Sequence, residues 1–141
     1  MTTTKPIVLN KDTLNITRET DVVPFRSRVK EHAVKIGMSL LNQTKLITGA
    51  SELVRNLLKY GKGGIATIEI ISRGRDTGIR LIFEDKGPGI PDINKAMTDG
   101  YTTGKSMGLG LPGTKRLMNE FDIKSEVGVG TTVTVIKWKN G

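Results

Sequence analysis

Two stretches rich in β-favouring residues, near 65–73 and 78–85, are joined only by Gly74-Arg75-Asp76-Thr77-Gly78. So short a link makes them paired neighbours, with no crossover helix between them. A second pair ends the chain, near 122–127 and 131–138, around Gly128-Val129-Gly130. Helical patterns lie elsewhere. Asp21 is a candidate N-cap for a helix over about 22–36, with Gly37 as its stop. Leu46, Ile47, Ala50, Leu53, Val54, Leu57 and Leu58 follow helical spacing in a second helix, from about Leu40 to Tyr60, ended by Gly61. A third spans about 112–121, with Pro112 suited to its first turn. Residues 7–17 read as extended chain with a turn at Asn10–Asp12. The order is strand, helix, helix, strand, strand, loop, helix, strand, strand. It predicts an α+β fold, with a mixed, mostly antiparallel sheet and helices on one face. The β-α-β alternation of a doubly wound fold is missing. A length of 141 residues predicts one domain, over 7–141, behind a flexible segment 1–6.

Composition narrows the function. The absence of cysteine removes disulfides, thiolate metal sites and cysteine nucleophiles. A net charge of +8, from 22 Lys+Arg against 14 Asp+Glu, favours an anionic partner. The basic residues are spread from Lys5 to Lys139 and aromatics are only 4%, unlike the concentrated stripe of a nucleic-acid reader. A nucleotide or an acidic protein accounts for the sign without nucleic acid. No apolar run nears the roughly 18 residues of a membrane span. Met1 to Pro6 also lacks a signal-peptide core, so cytoplasm is the expected compartment. His32, the only histidine, is expected on the surface of the first helix and makes a zinc site improbable.

Two glycine motifs mislead. Gly108-Leu109-Gly110-Leu111-Pro112-Gly113 matches G-x-G-x-x-G, but no strand leads into it, as a dinucleotide fold requires. It still opens onto a helix N-terminus, which suits a phosphate. Gly104-Lys105-Ser106 resembles the end of a P-loop, yet Asp99 stands where the first glycine belongs. Lys105 is either a phosphate contact or a solvated loop lysine.

Four segments carry candidate chemistry. Glu52 and Asn56 are one helical turn apart on one face, away from the apolar stripe. That face is either simply solvated or a site. An amide oxygen suits Mg²⁺, which needs few protein ligands, and a carboxylate beside it can orient or deprotonate a hydroxyl. Strand alternation puts Asp85 on the same side as Ile79, Leu81 and Phe83, where a carboxylate needs a donor such as the adenine amino group. Gly87 and Gly89 let the backbone turn and approach a flat base. The segment from Asp99 to Gly113 is either a surface loop or a lid over a ligand. Thr131 shares a face with Val133 and Val135 and is either a β-favouring hairpin residue or a partner of Asp85 at the base.

Glu52-x-x-x-Asn56, Asp85-x-Gly87-x-Gly89, Gly108-Leu109-Gly110-Leu111 and Gly128-x-Gly130-Thr131 resemble, in order, the N, G1, G2 and G3 boxes of the GHKL ATPase superfamily. That superfamily includes gyrase, Hsp90, MutL and histidine-kinase catalytic domains. Within it, the phrases from Glu84 to Ile93 and from Gly108 to Met118, and the ending near Lys137-Trp138, are similar to those of small bacterial serine/threonine switch kinases of anti-sigma-factor pathways. The resemblance covers about residues 8–139 and implies a Bergerat two-layer α/β sandwich. It implies ATP and Mg²⁺ as cofactors, with an adenine contact at Asp85, magnesium at Asn56 and a basic or water-ordering role for Glu52. Gly87, Gly89, Ile90, Lys105, Gly108, Leu109, Gly110, Leu111 and Thr131 complete the implied nucleotide site.

The implied activity is transfer of the γ-phosphoryl to a Ser or Thr of a STAS-domain protein, in a partner-switching or stressosome pathway. The alternative is a nucleotide-gated binding protein that holds a sigma factor or activates a PP2C-type phosphatase. Glu52 favours the kinase, since a pure binder needs no base. No helical pair bearing a phosphoacceptor histidine is present, which weakens a histidine-kinase fragment.

Overall fold

The computed structural model of the protein describes residues 5–98 and 110–141. Its elements, in chain order, are β1 (Ile7–Ile16), a short 3-10 turn (Glu19–Asp21), α1 (Val22–Lys35), α2 (Leu40–Lys59), β2 (Gly64–Arg73), β3 (Asp76–Glu84), α3 (Ile93–Ala96), α4 (Gly110–Leu117), β4 (Glu120–Glu126) and β5 (Gly130–Trp138). Five strands form one sheet in the order β1-β2-β3-β5-β4, and all four pairings are antiparallel.

The β2–β3 hairpin is tighter than its glycines indicate. Arg73 faces Asp76, so only Gly74 and Arg75 lie between the strands. Alternation then sorts the side chains. Ala66, Ile68 and Ile70 of β2 share the buried core with Ile79, Leu81 and Phe83 of β3 and Val133 and Val135 of β5. On the opposite face Arg80 pairs with Glu69 at 2.6 Å and Arg73 with Glu120 at 2.8 Å.

The helices cover the first of these faces. Ser39 caps α2 by accepting from the Asn42 N–H at 3.2 Å, which serves one of the free amides of its first turn. The helix buries Leu46, Ala50, Leu53, Val54 and Leu57 along one stripe. The ring of Phe25 on α1 meets Phe83 edge-on at 5.6 Å between centroids, fastening α1 to the middle of the sheet.

Four expectations change. Residues 7–17 contain no turn at Asn10–Asp12. All but Thr17 form one strand with a register irregularity between Val8 and Asn10, and the Asn10 side chain accepts from Lys11 N–H at 2.8 Å. The irregularity falls at Leu9, while Asn10, Lys11 and Asp12 pair in regular register with Ile70, Glu69 and Ile68, which keeps the polar triplet extended. The helix expected over 112–121 spans Gly110–Leu117, because Asn119 already joins the sheet. Its N–H donates to Ile136 O and its Oδ1 accepts from Trp138 N–H. His32 is not a surface residue: it is 6% exposed, and its Nε2 lies 2.5 Å from Asp12 Oδ2, tying α1 to β1. Asp21 does sit at the start of α1, but its carboxylate accepts from the Thr17 and Arg18 N–H groups instead of capping the helix.

Candidate functional site

A cavity of about 300 Å³ opens between α2, the start of α4 and the ends of β3 and β5. Its walls are apolar: Leu53 and Leu57 from α2, Phe83 from β3, Ile123 from β4 and Val133 from β5. These are the core-facing positions of amphipathic elements, carried on to the ends of the strands. They leave a slot suited to a flat, largely apolar ring.

The polar groups around it come from the segments singled out in the sequence. Glu52, Asn56, Asp85, Gly89, Ile90, Gly110, Leu111 and Thr131 all line the cavity. Glu52 is 7% exposed, so it belongs to the cavity wall and not to a solvated helix face. Asn56 follows one turn later and is half-buried. Lys105, Gly108 and Leu109 lie outside the described residues, as does most of the segment read as a lid.

Asp85 follows directly on β3. Its N–H donates to Thr131 O at 3.0 Å, continuing the ladder by one residue. Its Oδ1 accepts from Gly87 N–H at 2.8 Å and from Thr131 N–H at 3.2 Å. Two donors on one oxygen fix the carboxylate's orientation. Gly87 is not among the residues that line the cavity, and its N–H makes this bond to Asp85. Gly89 turns the chain at φ +79°, and a side chain there would strike Glu126 O across the β4–β5 turn.

Sequence reasoning missed two residues here. Gly61 appeared only as a helix stop. A Cβ on it would lie 2.6 Å from Cβ, Cγ and Oδ2 of Asp85, so its bare face is the surface against which the carboxylate rests. Ser125 carries no local motif in the sequence. It faces Thr131 across the β4–β5 hairpin, and its hydroxyl accepts from Ile90 N–H at 2.7 Å. The hairpin register, once set by its glycine turn, is the signal that would have found it.

The chain matches the family model described as histidine kinase-, DNA gyrase B-, and HSP90-like ATPase over residues 41–140, and it belongs to that family. The match spans α2, both hairpins and every described wall of the cavity. The chain is 44% identical over 126 residues to the serine/threonine-protein kinase RsbT of Bacillus subtilis (strain 168), covering 89% of this chain and 94% of that one. It is 32% identical over 119 residues to the anti-sigma F factor of Thermoanaerobacter sp. (strain X514), covering 80% and 82%. Among solved structures, that of the RsbU and RsbW domains of Rv1364c from Mycobacterium tuberculosis superposes with a TM-score of 0.62 at 18% identity. It covers 91% of this chain, which spans only 31% of that one, and it supports the shared fold. Among the described residues, no helix is long and apolar enough to cross a membrane.

Proposed function

We propose that this chain is a serine/threonine protein kinase that transfers the γ-phosphoryl group of Mg-ATP to a Ser or Thr of a STAS-domain partner. The setting would be a bacterial partner-switching pathway in the cytoplasm. The observation that carries the proposal is the cavity itself, with Asp85 held by two N–H donors at one end and Glu52 and Asn56 on the α2 wall. The likeness to the RsbT kinase over 94% of that protein's length supports the reaction type. The STAS substrate rests on the resemblance of the Glu84–Ile93 and Gly108–Met118 phrases.

The residues fit the nucleotide. Oδ1 of Asp85 is engaged by the protein, which leaves Oδ2 to accept from an exocyclic amino group. Leu53, Phe83 and Val133 flank the base by apolar contact. Gly110 and Leu111 bring the N-terminus of α4 to the cavity, where its first-turn amides and partial positive charge suit phosphate oxygens. Lys105, Gly108 and Leu109 are proposed to act on the same phosphates. Asn56 offers an amide oxygen to Mg²⁺, which supplies positive charge against the phosphate oxygens.

Glu52 is the proposed base. It accepts the proton of the incoming hydroxyl as that oxygen bonds to the γ-phosphorus and the bond to the β-phosphate oxygen breaks. A carboxylate positioned for this contributes roughly 10²–10⁴ in rate.

The likeness to anti-sigma F factors favours a second output, nucleotide-gated holding of a sigma factor or a PP2C-type phosphatase. Capture of partners from native lysate with and without ATP, followed by phosphosite mapping, tests both. A STAS protein bearing a new phospho-Ser or phospho-Thr only with ATP supports the kinase. ATP-dependent capture of any partner with no phosphosite overturns it in favour of the gated binder.

A further inference from the structure

Ser125 has a single hydroxyl proton and two lone pairs. Three neighbours compete for them. Ile90 N–H donates to Ser125 Oγ at 2.7 Å, Gly130 O lies 3.2 Å from it, and Thr131 Oγ1 lies 2.7 Å from it. A carbonyl oxygen only accepts, so the bond to Gly130 uses the Ser125 proton. The bond to Thr131 must then use the Thr131 proton and the second lone pair of Ser125. This arrangement makes all three bonds at once. If Ser125 donated to Thr131 instead, its bond to Gly130 O would be lost and only two of the three would remain.

The consequence falls on the cavity. With its proton committed to Ser125, Thr131 turns only lone pairs toward a ligand. Asp85, whose Oδ1 accepts from Thr131 N–H, is likewise an acceptor. Two acceptors at one end of an apolar slot suit an amino group, which has two N–H donors. A ring carbonyl in the same place would meet lone pairs on both sides and stay unpaired, which is costly.

We propose that Ser125 is the positioning residue that makes this site select a 6-aminopurine over a 6-oxopurine, by holding the Thr131 hydroxyl as an acceptor. The inference rests on the ATP reading of the cavity. It adds a residue on the edge strand β4 that does not line the cavity and acts through Thr131. Removing the Ser125 hydroxyl frees the Thr131 proton, which can then turn inward and donate to a carbonyl.

Calorimetric titration of the full chain with ATP and with inosine triphosphate, which differ at the purine 6-position, tests this. In Ser125→Ala, the preference for ATP should fall about ten-fold, the size of one hydrogen bond gained or lost. Ser125→Thr, which restores a hydroxyl at the same place, should return it. If Ser125→Ala weakens both nucleotides equally, Ser125 merely anchors Ile90 and the inference is overturned. If Ser125→Ala lacks the wild-type circular dichroism, Ser125→Cys takes its place, with a fall in the preference expected and an unchanged preference overturning the inference. Wild type that binds neither nucleotide would overturn the ATP reading, and this inference with it. Wild type that binds both equally overturns the inference alone.

Discussion

Asp85 and Thr131 hold each other twice: Thr131 N–H donates to Asp85 Oδ1 at 3.2 Å, and Asp85 N–H donates to Thr131 O at 3.0 Å. The backbone bond sets where the aspartate sits, and the side-chain bond sets where its second oxygen points. Asp85→Asn can keep both, with the amide oxygen in the Oδ1 place. Its amide nitrogen then replaces the free acceptor and faces the amino group of adenine. The expected loss is about 2–4 kcal/mol, a charge-assisted bond plus an unpaired donor, or roughly 30- to 1000-fold in ATP affinity. Calorimetry on a variant with wild-type circular dichroism is the check, and unchanged affinity would remove Asp85 from the base site.

Gly61→Ala should disturb the same carboxylate from behind. The added methyl would sit 2.6 Å from three Asp85 atoms, too close for either side to remain in place. Overpacking of this kind typically costs about 1–3 kcal/mol of stability. ATP affinity should fall by roughly ten-fold or more as Asp85 turns away. Alanine at this position with full affinity would show that the carboxylate need not rest on a bare backbone.

The His32–Asp12 contact makes stability depend on pH. The His32 hydrogen bond, with help from Arg28 at 3.2 Å, holds the Asp12 carboxyl below its usual range. Its folded-state pKa therefore lies below the unfolded value of about 4. The stabilisation is present above the unfolded value and is lost as pH falls through the lower, folded one. Asp12→Asn should melt below wild type at pH 7, and the two curves should converge as pH drops below about 4. A gap that stays constant over that range would mean that the charge on Asp12 plays no part.

Much of this molecule was legible in its sequence because its signals are local. A short glycine-bearing link forces β2 and β3 into a hairpin, and the period of two then sends Asp85 to the apolar side with Phe83. The same rule put Thr131 beside Val133, and the helical period put Glu52 and Asn56 on one wall. What stayed hidden depends on contacts between distant segments. Gly61 looks like a helix stop until Asp85 is folded onto it. His32 looks exposed on a polar helix until Asp12 of β1 arrives to pair with it. The turn expected at Asn10–Asp12 does not form because β2 pairs with all three residues in regular register, and a polar triplet stays extended when a neighbouring strand supplies its bonds.

The division of labour along α2 is the centre of the proposal, and single-turnover transfer from γ-labelled ATP to a cognate STAS protein measures it most directly. Asn56→Ala should weaken Mg-ATP binding and transfer together. Glu52→Ala should bind Mg-ATP within a few-fold of wild type but transfer roughly 10²–10⁴ more slowly, the range for loss of a positioned base. Transfer by Glu52→Ala at the wild-type rate would contradict the assignment of the base. A wild-type protein that binds both ATP and the STAS protein yet never labels it would contradict the kinase itself.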